Sequence, residues 1–307
     1  MSIDRLQEQI RKLKTPIMVG LEPTLPSLPP HLVRSAVEEH GQTLKAAAAA
    51  CYTFCTQVLD RLNGLVPGVT LRSACFESLG GEGVAQLQRV SQYARELGYY
   101  VLMDSMAGLA DSPAESYAQA MFGKITLGEE ACQVYHCDGL TLNPLLGSDS
   151  VKPFLPYCKK EGKNIFLLLK SPNKSSREVQ DLLSGDRVVY TAMADLARRW
   201  GEDMIGRYGY SQVGGVAGAT FPQALKLLRE KYDRLFLVVT GCDEQGGKVK
   251  NASYAFDRFG HGAVVCASRS ILCAWQKNGT DGRDYLEQAE KAVLKMKAEL
   301  GKYVVIL

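Results

Sequence analysis

Two short segments in the last third of the sequence carry groups suited to holding an anion. Gly241-Cys242-Asp243-Glu244-Gln245-Gly246-Gly247 is rich in glycine, and glycines let backbone N–H groups approach a charged oxygen closely. Ala267-Ser268-Arg269-Ser270 places an arginine between two hydroxyls, and a guanidinium pairs with phosphate through two parallel hydrogen bonds. Either segment alone is an ordinary turn; the two together point to phosphate. Metal chemistry finds less support. Cys51 and Cys55 lie four residues apart, and Cys132, His136 and Cys137 are close in sequence, yet neither group offers four zinc ligands and none of the nine cysteines forms a Cys-x-x-Cys pair. Reduced thiols used as small packing groups are the expectation, with no metal and no cofactor. A chain of 307 residues, 46% of them hydrophobic, can bury one large core without disulfide staples.

The overall charge narrows the class of partner. Lysine and arginine exceed aspartate and glutamate by only 36 to 33, and no basic run is longer than a pair such as Lys159 and Lys160. Nucleic acid is therefore not an expected partner, and a small metabolite is. Ile3, Leu6, Ile10 and Leu13 recur at helical spacing among charges, so residues 1–14 read as an amphipathic helix and not as a secretory signal. The longest apolar run, around 46–55, includes Tyr52 and Thr53 and is too short to span a bilayer. A cytoplasmic protein without membrane association is expected.

Short apolar runs at 16–21, 69–74, 100–104, 139–142, 165–170, 213–217, 235–240 and 263–266 alternate with longer helical patterns. One helix is predicted over 81–96, with Val84, Leu87, Val90 and Ala94 on one face; another opens at Pro222 and carries Leu225 and Leu228. Eight strand-helix units predict an α/β fold of the (β/α)8 TIM-barrel type, as a single domain over 1–307 with a C-terminal helix at about 281–300. An open doubly wound sheet is the alternative. The stretch 25–30 has three prolines and reads as a loop over one barrel end. Barrels of this kind place function at the carboxyl ends of the strands and often hold phosphate after strands seven and eight, which is where the two anion-binding segments fall.

Several segments resemble the longer, bacterial form of orotidine 5′-phosphate decarboxylase: Val19-Gly20-Leu21-Glu22-Pro23, Phe76-Glu77, Asn143-Pro144-Leu145-Leu146-Gly147, Val216-Ala217-Gly218-Ala219-Thr220, Gln245-Gly246-Gly247 and Ser268-Arg269-Ser270. They run in order from about residue 16 to residue 275. The resemblance implies the formation of UMP by loss of a carboxylate, catalysed by a lysine on the second strand and an Asp-x-Lys-x-x-Asp motif ending the third. Carboxylates in such a site crowd the substrate's carboxylate, while ammonium groups stabilise the carbanion and protonate it.

Aligned through Phe76-Glu77, the second-strand lysine falls at Thr70 and the motif at Asp104-Ser105-Met106-Ala107-Gly108-Leu109. Only Asp104 keeps the family residue; Thr70, Met106 and Leu109 replace two lysines and an aspartate. Among the ligand positions that the resemblance implies, the first-strand aspartate near the ribose is Glu22. The Thr-Ser-Asn-Pro stretch near the pyrimidine is Lys170-Ser171-Pro172-Asn173, which keeps Ser171 and moves the asparagine to Asn173. Gln245, Gly246, Gly247 and Arg269 would meet the phosphate, with Asp243 and Glu244 adding negative charge beside it. Arg72, two residues from Thr70, and Lys170, ending the fifth strand, are cations that could reach the pocket in place of the lost lysines.

Two readings follow. One is a catalytically inactive, possible regulatory relative that keeps a pocket for a UMP-like nucleotide or phosphate; the other is a functional or divergent decarboxylase. The resemblance further implies a homodimer, with Leu109 where an aspartate would reach into the neighbouring site, and allows a mixed dimer with an intact paralogue.

Overall fold

The computed structural model describes residues 1–242, 245–279 and 281–307. The eight apolar runs become eight strands: β1 (Ile17–Leu21), β2 (Gly68–Arg72), β3 (Tyr100–Ala107), β4 (Gly139–Leu142), β5 (Asn164–Lys170), β6 (Val213–Gly218), β7 (Leu237–Thr240) and β8 (Ala263–Ala267). Each runs parallel to its sequence neighbours and β8 returns to β1, so the sheet closes into a (β/α)8 barrel without an unpaired edge. Closure buries both faces of the sheet, which is why the strands read as continuous apolar runs and not as alternating ones. Met18, Leu102, Phe166, Val216 and Val238 fill the lumen, while Val19, Val101, Leu167 and Val239 pack outward against the helices.

The helix Ser2–Leu13 brings Ile3, Leu6 and Ile10 into the same cluster as Tyr100, Phe236 and Val264, residues at the beginnings of their strands or just before them. It therefore closes the amino-terminal end of the barrel and leaves the carboxyl end for a cavity. Among the described residues, no helix is long and apolar enough to cross a membrane.

Several element ends differ from the sequence expectation: β3 runs on to Ala107 and not to 104, and β7 starts at Leu237 and not at 235. The second run stops at Arg72 because Ser73–Glu77 turns helical at once. The last helix is Tyr285–Leu300 and not about 281–300: Gly282 has a φ of 80°, and a Cβ there would lie 3.0 Å from the Trp275 ring. Only glycine takes that conformation easily, so it ends the loop just before the helix starts.

Two irregularities shape the carboxyl end. Along β3, Met103 faces Leu140 but Ala107 faces Leu142, so β3 carries two more residues than β4 across the same span. The displaced amides of Ser105 and Met106 both donate to Thr141 Oγ1 at 3.1 Å, and Met106 is left with a φ of 50°. Along β5, Leu168 faces Val216 and Lys170 faces Ala217, so Leu169 is the extra residue of a bulge. The bulge breaks the alternation and takes Lys170 out of the lumen-facing series of Phe166 and Leu168.

Candidate functional site

At the carboxyl end of the barrel lies a cavity of about 490 Å³, within the range common for small-molecule sites. Leu102, Leu168, Val216 and Val238 give it an apolar floor. Thr70 and Arg72 come from β2, Asp104 and Met106 from β3, and Glu22 follows β1. Alternation along β2 and β3 explains the grouping: Thr70 and Arg72 are two apart, as are Leu102 and Asp104, so each pair shares a face. Gly20 makes the convergence possible. A Cβ at that position would lie 2.1 Å from Ser268 Oγ and 3.0 Å from Thr70 Oγ1, so β1 must omit a side chain where its two neighbours lean across it.

One guanidinium organises the acidic wall. Arg72 Nε donates to Glu22 Oε1 at 2.9 Å and Arg72 Nη2 pairs with Asp104 Oδ2 at 3.0 Å. Ser268 Oγ donates to the same Glu22 oxygen at 3.0 Å, and Thr141 Oγ1 donates to Asp104 Oδ1 at 2.8 Å. Burial opposes the charge on Arg72, but the carboxylates of Asp104 and Glu22 outweigh it and hold the guanidinium above its ordinary pKa. Arg72 is thus a fixed cation and not a proton donor at neutral pH. The thiol of Cys266, also in the cavity lining, is pushed up by burial and then by Asp104, which keeps it protonated.

Of the positions expected to form the site, Glu22, Thr70, Asp104, Met106, Ser171, Asn173, Gln245 and Arg269 all line this cavity. Leu109, Gly246 and Gly247 do not. Leu109 lies beyond the end of β3 and is 37% exposed. Gly247 N–H donates to the carbonyl of Gly241 at 3.1 Å, and Gly246 takes a φ of 87° that suits glycine alone. Asp243 and Glu244 lie outside the described residues. Ser171 Oγ donates to Asn173 Oδ1 at 2.7 Å, so these two residues form one polar unit after β5.

The two candidate replacement cations separate. Arg72 reaches the cavity; Lys170 does not line it. Lys170 Nζ pairs with Asp181 Oδ1 at 2.7 Å and stands 4.2 Å from the centre of the Phe221 ring, with its side chain only 2% exposed. The β5 bulge is the reason, since it turns the residue to the opposite side of the sheet. Thr141, Thr240 and Cys266 also line the cavity and were not singled out from sequence. Their signal was position: each lies at or next to the last residue of its strand.

No protein-family model matches the sequence. Full-length relatives do. Orotidine 5′-phosphate decarboxylase of Rhodopirellula baltica is 34% identical over 287 residues, 92% of this chain and 93% of that protein. The enzyme of Caldicellulosiruptor bescii is 30% identical over 273 residues, 89% and 90% of the two chains.

The chain belongs to the orotidine 5′-phosphate decarboxylase family.

Its barrel agrees with a solved structure of the same family. OMP decarboxylase of Leishmania donovani superposes with a TM-score of 0.70 at 26% identity, covering 97% of this chain and 99% of that one. In this orotidine 5′-phosphate decarboxylase fold the positions of Thr70, Asp104 and Met106 face the cavity, so their chemistry and not their placement sets what the pocket can do.

Proposed function

We propose that this member of the family binds a small phosphate-bearing ligand, a UMP-like nucleoside monophosphate, and does not decarboxylate orotidine 5′-phosphate. The observation that carries this reading is the cation inventory: among the described residues no lysine lines the cavity, and Arg72 is already hydrogen-bonded between Glu22 and Asp104. A carbanion forming beside that wall would be opposed by two carboxylates and offset by one guanidinium engaged with both. Thr70 and Met106 supply no charge. The phosphate would be met by Arg269 and by Gln245, which both line the cavity, as the spacing of their segments suggests.

The test is direct. Purified protein incubated with orotidine 5′-phosphate should form no UMP above a blank. Turnover with kcat of about 1 per second or more, a rate ordinary for enzymes, would establish the other reading, a functional or divergent decarboxylase built around Asp104. The combined variant T70K/M106K/L109D should gain turnover if the loss is confined to these positions.

The same reading includes a homodimer. Leu109 is exposed and lies outside its own cavity, as expected of a residue that reaches toward a partner. A mixed dimer with an intact decarboxylase would hold one site without lysines and another without the donated aspartate, so both would be inactive.

A further inference from the structure

We infer that Lys170 and Asp181 are positioning residues: their ion pair clasps the segment after β5 to the barrel and so holds Ser171 and Asn173 in place. The consequence for ligand binding rests on the nucleotide-pocket reading above; the clasp itself does not.

The segment from 171 to 188 leads from β5 to the helix Val189–Trp200. Ser176 is its one buried residue, and Val179, Leu182 and Leu183 are exposed. A second cavity of about 190 Å³ lies behind it, bounded by Ser175, Ser176, Val179 and Gln180 on one side and by Leu145 and Met193 on the other. A segment that rests on a cavity gains little from apolar burial, so a few polar contacts decide where it lies.

Those contacts fall at two points. Pro172 is wedged at the start: a Cβ on Gly218 would lie 2.6 Å from Pro172 Cα, and Thr220 Oγ1 donates to the Pro172 carbonyl at 2.8 Å. Farther along, Asp181 Oδ1 meets Lys170 Nζ at 2.7 Å. An ammonium as buried as that of Lys170 requires an opposite charge, which Asp181 supplies. Arg177 Nε also approaches Asp181, at 3.9 Å, but is largely exposed and adds little. The clasp reaches the cavity wall through the neighbouring residue. Gln180 Oε1 accepts from the Ser171 amide at 2.9 Å, Gln180 Nε2 donates to Ser171 Oγ at 3.1 Å, and Ser171 Oγ donates to Asn173 Oδ1. Releasing Asp181 therefore releases Gln180, and with it the contacts that orient Ser171.

The experiment is amide hydrogen exchange of the full chain, read by mass spectrometry, on the native protein, D181N, D181E and D203N. Asp181 is only partly buried, so its variants keep the barrel folded where replacing Lys170 could not. D203N breaks the exposed Lys159–Asp203 pair and serves as the comparison. In D181N, exchange over 171–188 should quicken by at least about tenfold while the barrel strands keep native rates. D181E, which keeps the charge, should restore most of the protection. Titration with UMP should show affinity about threefold to tenfold weaker in D181N, the order of one lost hydrogen bond. A segment that exchanges no faster in D181N than in D203N, or a rise spread evenly over the barrel, overturns the clasp. Faster exchange with unchanged UMP affinity overturns the positioning role. If UMP fails to bind the native protein, the nucleotide-pocket reading falls, and the exchange rates still decide the clasp.

Discussion

Replacing Arg72 by methionine tests the electrostatic account of the wall most severely. The substitution keeps most of the side chain's apolar length and removes the one charge that faces Glu22 at 2.9 Å and Asp104 at 3.0 Å. The side chain of Asp104 is 8% exposed and that of Glu22 19%, so the orphaned carboxylates are poorly hydrated. Breaking a fully buried pair costs about 3–5 kcal/mol, while an exposed pair contributes roughly 0–1 kcal/mol. Because Arg72 is itself 40% exposed, the case lies between these limits. A loss of about 2 kcal/mol is expected, which for a chain of this length lowers Tm by roughly 3 °C. Thermal unfolding followed by circular dichroism at neutral pH measures it. The triple variant R72M/E22Q/D104N should recover most of the loss, because no charge is then left without a partner. An R72M protein as stable as the native one, or a triple variant no better than R72M, would refute the idea that Arg72 exists here to neutralise the two acids.

Four further outcomes are expected. Arg269→Ala should weaken UMP binding by about tenfold to a hundredfold, the usual range for a charge-assisted contact; equal affinity in titrations of both proteins would place the phosphate elsewhere. Gly20→Ala forces a Cβ against Ser268 and Thr70 and should destabilise the barrel by roughly 1–3 kcal/mol, seen as a lower midpoint in urea. Burial pushes the thiols of Cys51, Cys137 and Cys158 up to about 12, so at pH 8 almost none is thiolate. Iodoacetamide should therefore label exposed Cys132 in the native protein and reach those three only after denaturation, and mass mapping that found Cys158 modified early would contradict the burial argument. Light scattering should give the mass of a dimer, and co-expression with an intact decarboxylase should give a mixed dimer without turnover; a stable monomer, or a mixed dimer that keeps substantial activity, would contradict the shared-site argument.

The sequence alone determined the barrel and pointed to strand ends that line the cavity. Strands buried on both faces must be written as apolar runs, and loops that carry function must follow them, so the eight runs and the segments at Gln245 and Arg269 could be located without coordinates. The uncharged residues at Thr70, Met106 and Leu109 were equally legible, since a missing charge is a property of composition at a position. The alternation of side chains along a strand also placed Arg72 on the face of Thr70, correctly. The same reasoning left Lys170 open as a candidate for the pocket, and only the tertiary structure removed it. A bulge is fixed by pairing with a neighbouring strand distant in sequence, and one extra residue at Leu169 reverses the direction of the next side chain. Tertiary structure also decided what Arg72 does. Glu22, Arg72 and Asp104 belong to three strand ends separated by dozens of residues, and no local pattern states that one guanidinium will be bound by both acids. That contact depends on Gly20, whose missing side chain leaves room for Ser268 and Thr70 to close around the wall. Charge content is written in the chain; which charges meet is settled by strand pairing, because Glu22, Arg72 and Asp104 converge only when β1, β2 and β3 lie side by side, and Ser268 joins them once closure brings β8 beside β1.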